Sequence, residues 1–114
     1  QTVRGSAAAL GGAGDYADPE QLLLSALSSC HMLTFLAVCA NRGYVVDSYR
    51  DEATALLDKN ADGKTAVVKA LLAPKVTFSG DRQPGAEDYA ALHARAHAAC
   101  FIANSVKTQV DVKI

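Results

Sequence analysis

The sequence carries almost no net charge and no concentration of positive charge. Eleven Lys and Arg stand against twelve Asp and Glu, a formal net charge of −1. Nucleic acid demands a basic field to replace its counterions, so it is not an expected partner. The usual phosphate cradle is missing as well, because Gly11-Gly12-Ala13-Gly14 is followed by no lysine. There is no Gly-x-Ser-x-Gly elbow, no Cys-x-x-Cys and no His-Glu-x-x-His. Three cysteines, an odd number, do not make a structural disulfide framework. Free thiols fit a cytoplasmic protein better than a secreted one. The first eighteen residues lack the apolar segment of a signal peptide. The chain begins at Gln1, and a leader or N-terminal part is expected upstream.

What is present is a globular balance: half of the 114 residues are hydrophobic and a fifth are charged. That length suits one compact domain. Residues 1–17, rich in alanine and glycine, read as a flexible lead-in, and 18–114 as a single domain. The stretch LLLSALSSCHMLTFLAVCAN, residues 22–41, has no charged side chain. Its length would just cross a bilayer. Its serines, His31 and Thr34, and the absence of flanking Lys or Arg clusters, favour instead a helix buried on all sides within a protein. Asp18, Pro19 and Gln21 form the start signal of that helix, and Arg42-Gly43 its stop.

A strand is expected from residue 44, continuing irregularly towards Leu57, then a hairpin turn at KNADGK. A second strand carries Ala66, Val68, Ala70, Leu72, Val76 and Phe78 on one face, interrupted at Pro74 by a bulge or an edge position. A helix from about Ala86 to Cys100 and a last alternating strand over 106–114 complete the order. The fold class is α+β, a long central helix laid on an antiparallel sheet. So much apolar helix surface exceeds what a short chain can cover alone, which implies a homodimer with the long helices packed together.

Cys30 lies about 18 Å along its helix, beyond the reach of the helix dipole. Burial by itself would leave it inert, a small hydrophobe, and Cys39 fits that description. Cys100 lies on the face defined by residues 89, 93, 96 and 100 of the second helix, which points it towards the long one. Two thiols on core-facing helices leave a redox pair and inert packing both open. His93, His97 and Cys100 at i, i+4 and i+7 form a rival, a zinc site completed by Cys30 or His31. A non-catalytic dimer that binds a hydrophobic ligand is a third possibility. A Cys30–His31 dyad is disfavoured because helical neighbours do not face each other. So is paired-carboxylate catalysis at Asp51-Glu52, since strand neighbours point to opposite faces.

DPEQLLLSALSSCHMLTFLA and HAACFIANSVKTQV together resemble the osmotically inducible protein C and organic hydroperoxide resistance (OsmC/Ohr) family. The resemblance runs from about Gly11 to Ile114. It is closer to the OsmC-like branch, since Phe101 stands where the hydroperoxide-resistance branch usually has proline. It implies an intertwined homodimer with sites at the subunit boundary, and thiol-dependent peroxidase activity on alkyl or lipid hydroperoxides in oxidative-stress defence. Cys30 would be the peroxidatic and Cys100 the resolving cysteine, with Glu20 as the carboxylate of the site. Ten residues separate Glu20 from Cys30, so Glu20 would reach the Cys30 of a second subunit. No cofactor is implied beyond an external dithiol reductant, such as a lipoylated protein, and no membrane or nucleic acid. The family's site arginine comes from an N-terminal strand. Arg4 lies in a segment that does not align, and Arg42, Arg50, Arg82 and Arg95 match no family position.

Overall fold

A computed structural model describes residues 2–5 and 18–114. The Asp18 carboxylate accepts the Gln21 backbone N–H at 2.8 Å, and the Gln21 side chain accepts the Asp18 N–H at 3.0 Å. This reciprocal cap starts helix α1, Pro19–Asn41. At the other end the Arg42 N–H closes onto the carbonyls of Val38 and Cys39, and Gly43, at φ 79°, turns the chain out in the left-handed region.

Among the described residues six strands and a second helix accompany α1. Strand β1 is Thr2–Gly5, β2 Val45–Asp51, β3 Ala53–Lys59, β4 Thr65–Leu72, β5 Pro74–Ser79 and β6 Gln109–Val112; helix α2 is Ala86–Ala99, followed by a 3₁₀ turn, Ala103–Ser105. The architecture is α+β. Thr2–Gly5, read from sequence as part of a lead-in, are a strand paired antiparallel with β3. Residues 6–17 lie outside the described residues.

The strands form two sheets, one in the order β1-β3-β4-β6 and one of β2 and β5. Two or three strands were expected here, the later run interrupted at Pro74, and four exist. The first breaks at Glu52 and the second at Ala73, and Asp51 and Pro74 are register partners at the break. Pro74 has no N–H to continue a ladder. Asp51 fills the gap: its carboxylate accepts the Ala73 N–H at 2.7 Å and the Ser28 hydroxyl. The bent ribbon thus serves both sheets. All pairings are antiparallel except β4 with β6, so the first sheet is mixed, and the last strand is shorter than expected. The KNADGK turn is as expected, with the Asn60 side chain accepting the N–H groups of Asp62 and Lys64 and Gly63 at φ 75°.

Two cores lie along α1. Near its start, Leu24 and Leu27 pack with Ala53, Ala55, Ala70, Leu72 and Val110 of the four-stranded sheet. Towards its end, Phe35 and Cys39 pack with Tyr44, Leu92 and Ala96. Each such Leu or Phe removed from water contributes about 1.5–3 kcal/mol. Cys30 and His31 lie between the two. The length of α1 and the mean hydropathy of its most apolar 18 residues, 1.9, would suit a bilayer, yet its buried face is occupied by strands and α2. Within the single chain burial is not all round: Leu22 and Leu33 are 48% and 63% exposed.

Candidate functional site

Cys30 and Cys100 meet. Cys30 is half-buried on α1, and Cys100 is buried where α2 ends. All three cysteines are free thiols, and Cys30 and Cys100 lie near enough for each to shift the other's pKa. The face of α2 that carries Ala96 and Cys100 is buried, as its periodicity requires, and this carries Cys100 to α1.

The segment after Cys100 is folded tightly by its own side chains. Asn104 Nδ2 donates to the carbonyls of Ala98 and Cys100, both at 3.0 Å, and its backbone N–H also reaches the Cys100 carbonyl at 3.1 Å. The Ser105 hydroxyl donates to the Phe101 carbonyl at 2.7 Å. With its carbonyls occupied, the turn directs N–H groups towards the sulfurs: Ala103 N lies 3.5 Å from Cys100 Sγ, and the Phe101 and Ile102 amides favour the ionised form of Cys30.

These donors separate the two thiols electrostatically. Burial pushes the Cys30 pKa up, but the Cys100 thiol, the Ile102 and Phe101 amides and the Thr34 hydroxyl outweigh it and leave Cys30 below its ordinary value. Burial pushes Cys100 up, and sharing its proton with Cys30 pushes it further. Cys30 is therefore the better thiolate and Cys100 the retained thiol. Cys39, raised by burial, is core.

Within one chain Glu20, Arg42, Arg50 and Arg82 are not brought to this pair. Glu20 sits in the first turn of α1, ten residues or about 15 Å along the same helix from Cys30. Arg50 pairs with Glu52 at 3.3 Å, Arg82 stacks over the Tyr44 ring at 4.7 Å, and Arg42 lies at the Cys39 end of α1. Arg4 belongs to β1.

His93, His97 and Cys100 do not converge either. Among the described residues no group of three His, Cys, Asp or Glu side chains could hold a metal ion. Instead, His93 Nδ1 lies 3.0 Å from His31 Nε2, with both rings buried. Burial, followed by the influence of His97 on His31 and of His31 on His93, lowers each to about 4. Both are neutral imidazoles at pH 7. His31 therefore turns towards α2 rather than towards its neighbour Cys30.

Sequence reading missed Thr34, Asp51 and the amides of the 101–103 turn. Thr34 was legible in principle, being one helical turn beyond Cys30. Backbone donors leave no residue-type signal.

Comparison with known proteins adds the following. The chain matches the OsmC-like protein family over residues 12–114. None of the curated proteins matches it. An OsmC-like protein of unknown function from Vibrio cholerae is 48% identical, with a TM-score of 0.85 over 87% of this chain and 64% of that one, so our chain spans less than two thirds of that relative. An organic hydroperoxide resistance protein from Elizabethkingia anophelis shares the fold at 23% identity and TM-score 0.69, over 91% of this chain and 71% of that one. A Legionella pneumophila protein described as an organic hydroperoxide resistance protein does so at 18% identity and TM-score 0.61, over 99% and 93% respectively. Because the match runs through the cap of α1, both cysteine-bearing segments and the final strand, the chain belongs to the OsmC-like protein family.

Proposed function

We propose that the protein is a thiol-dependent peroxidase that reduces organic hydroperoxides, alkyl or lipid, in defence against oxidative stress. The observation that carries this is the placing of Cys30 beside Cys100, with surroundings that lower the Cys30 pKa and raise that of Cys100. The Cys30 thiolate attacks the distal oxygen of the hydroperoxide. An S–O bond forms, the O–O bond breaks, and the alkoxide leaves with the electron pair and takes a proton from water. Cys30 is then a sulfenic acid. The Cys100 thiol condenses with it, releasing water and forming a disulfide without a large movement. An external dithiol, for instance a lipoyl group on a protein, reduces the bridge by exchange. No bound cofactor enters the cycle.

The working unit in this proposal is a homodimer. Residues 22, 26, 29, 33, 37 and 40 follow one face of α1, and all are apolar or small: Leu22, Ala26, Ser29, Leu33, Ala37 and Ala40. Leu33, Ala37 and Ala40 are exposed despite lying in an uncharged helix. A second copy of α1 is the natural cover for such a stripe. The cytoplasm, which keeps thiols reduced, is the compartment that fits three free cysteines.

The test is intact-protein mass spectrometry after a stoichiometric pulse of cumene hydroperoxide. The wild-type chain should lose the mass of two hydrogens and regain it with dithiol. Cys100→Ser should gain one oxygen, trapped as sulfenic acid. An unchanged wild-type mass would overturn the proposal.

A further inference from the structure

We propose that the outer edge of β6 is an interaction surface for a second copy of this chain: residues 110–114 of the two copies pair antiparallel about Val112. β6 is an edge strand, with β4 on one side and, among the described residues, no strand on the other. The Lys113 N–H donates to the Leu72 carbonyl at 2.8 Å, so the odd-numbered residues of this strand address β4. The amides and carbonyls of Val110, Val112 and Ile114 therefore point outward. An open row of this kind is a template for another strand.

The strand is complementary to itself in one register. Pairing about Val112 sets Val112 opposite Val112, Asp111 opposite Lys113 and Val110 opposite Ile114. The outward amides and carbonyls then meet in hydrogen-bonded pairs, and Asp111 with Lys113 falls in the closer, non-hydrogen-bonded pairs. Opposite charges directly across a ladder stabilise it, and the two-fold axis makes the pair occur twice. Both side chains are exposed, with one Asp111 oxygen accepting from Gln109 Nε2 at 3.0 Å. Centring the pairing on Val110 instead would oppose Lys113 to Lys107. A one-residue slip would turn the second strand's apolar side chains to the solvent face.

The core face is also unfinished at this edge. Val110 is buried with Leu24 and Leu27, yet Ile114 is 60% exposed. Between β6 and α2 lies a cavity of about 220 Å³ whose walls include Ala90, Ala94 and His97 of the helix and Val110, Val112 and Ile114 of the strand. Opposite residues of an antiparallel pair share a face, so Ile114 of the second copy would extend the apolar face beside Val110, next to this cavity. The two alanines leave room there for a branched side chain.

This surface is distinct from the stripe on α1. Two different two-fold contacts on one chain assemble a tetramer, and the β6 contact alone a dimer. In either case, breaking the β6 contact halves the mass of the assembly. The test is sedimentation equilibrium of the reduced full chain at low salt, over a range of concentrations. Lys113→Asp places a carboxylate opposite Asp111 twice, and should weaken this association about tenfold or more. Asp111→Lys should do the same with two ammonium groups. The exchange Asp111→Lys/Lys113→Asp restores opposite charges and should return the wild-type mass. Thermal unfolding verifies that each variant is folded. Wild-type mass in either single variant would overturn the inference, as would a monomeric wild type. So would an exchanged pair that stays dissociated, because this register would then not be the contact. No step uses peroxide, so the outcome is separate from that of the peroxidase proposal.

Discussion

His31 Nε2 and His93 Nδ1 lie 3.0 Å apart with their rings nearly coplanar, and Phe35 is stacked on His93 at 4.1 Å between centroids. One ring donates and the other accepts, so both must be neutral or share a single charge. The remaining nitrogens, His31 Nδ1 and His93 Nε2, are buried without a hydrogen-bond partner among the described residues. The pair thus holds α1 to α2 in a form that tolerates no second proton.

Acid should loosen this contact. Unfolded histidines take up protons near 6.5, whereas the folded pair resists them down to about 4. Between those values the unfolded state binds more protons, so stability falls as pH drops, by up to about 1.4 kcal/mol per pH unit for each ring. Urea midpoints at pH 7, 6 and 5 should decline in the wild type and flatten in a His31→Leu/His93→Leu variant. Equal slopes in the two proteins would mean the imidazoles do not govern the transition.

Asp51 should matter more than its position on a strand suggests. Removing its carboxylate leaves the buried Ser28 hydroxyl and the Ala73 N–H without their acceptor. We expect Asp51→Ala to cost about 2–4 kcal/mol in urea unfolding, and Asp51→Asn less, since an amide oxygen still accepts from Ala73. A loss below half a kcal/mol for Asp51→Ala would show that the break between the sheets is held by other contacts.

Phe35 is fully buried at the centre of a ring cluster with Tyr49, Phe78, Tyr89 and His93. Phe35→Ala should cost about 3–5 kcal/mol, and Phe35→Leu markedly less. Thermal denaturation decides it, and similar losses for the two would point away from cavity formation.

Glu20 offers a test of the dimer. Mixing Glu20→Ala subunits with Cys30→Ser subunits should recover on the order of a quarter of the wild-type hydroperoxide consumption, since each mixed dimer would contain one complete site. No recovery would confine any role of Glu20 to its own chain.

Much of this was legible along the chain. The caps of α1 follow from Asp18, Gln21 and Gly43, whose effects are local and depend on a few neighbouring atoms. The period of residues 89, 93, 96 and 100 placed Cys100 on the buried face of α2, because helix geometry converts spacing directly into direction. The interruption at Pro74 was legible, but the break at Glu52 was not. The first strand reads as continuing irregularly towards Leu57, and its break depends on a carboxylate, a hydroxyl and an amide from three separate segments. The same holds for Thr2–Gly5, whose strand exists through its pairing with β3 rather than through any pattern of its own.

By itself, then, the sequence determined which helices form and that all three cysteines lie at core-facing helix positions or ends, because these depend on periodicity and on contacts within a few residues. Only the tertiary structure decided that His93 answers His31 rather than Cys100, and that the Cys30 sulfur is served by amides of a turn seventy residues away. Those outcomes depend on the relative rotation of two packed helices, where a single step of 100° exchanges one partner for another.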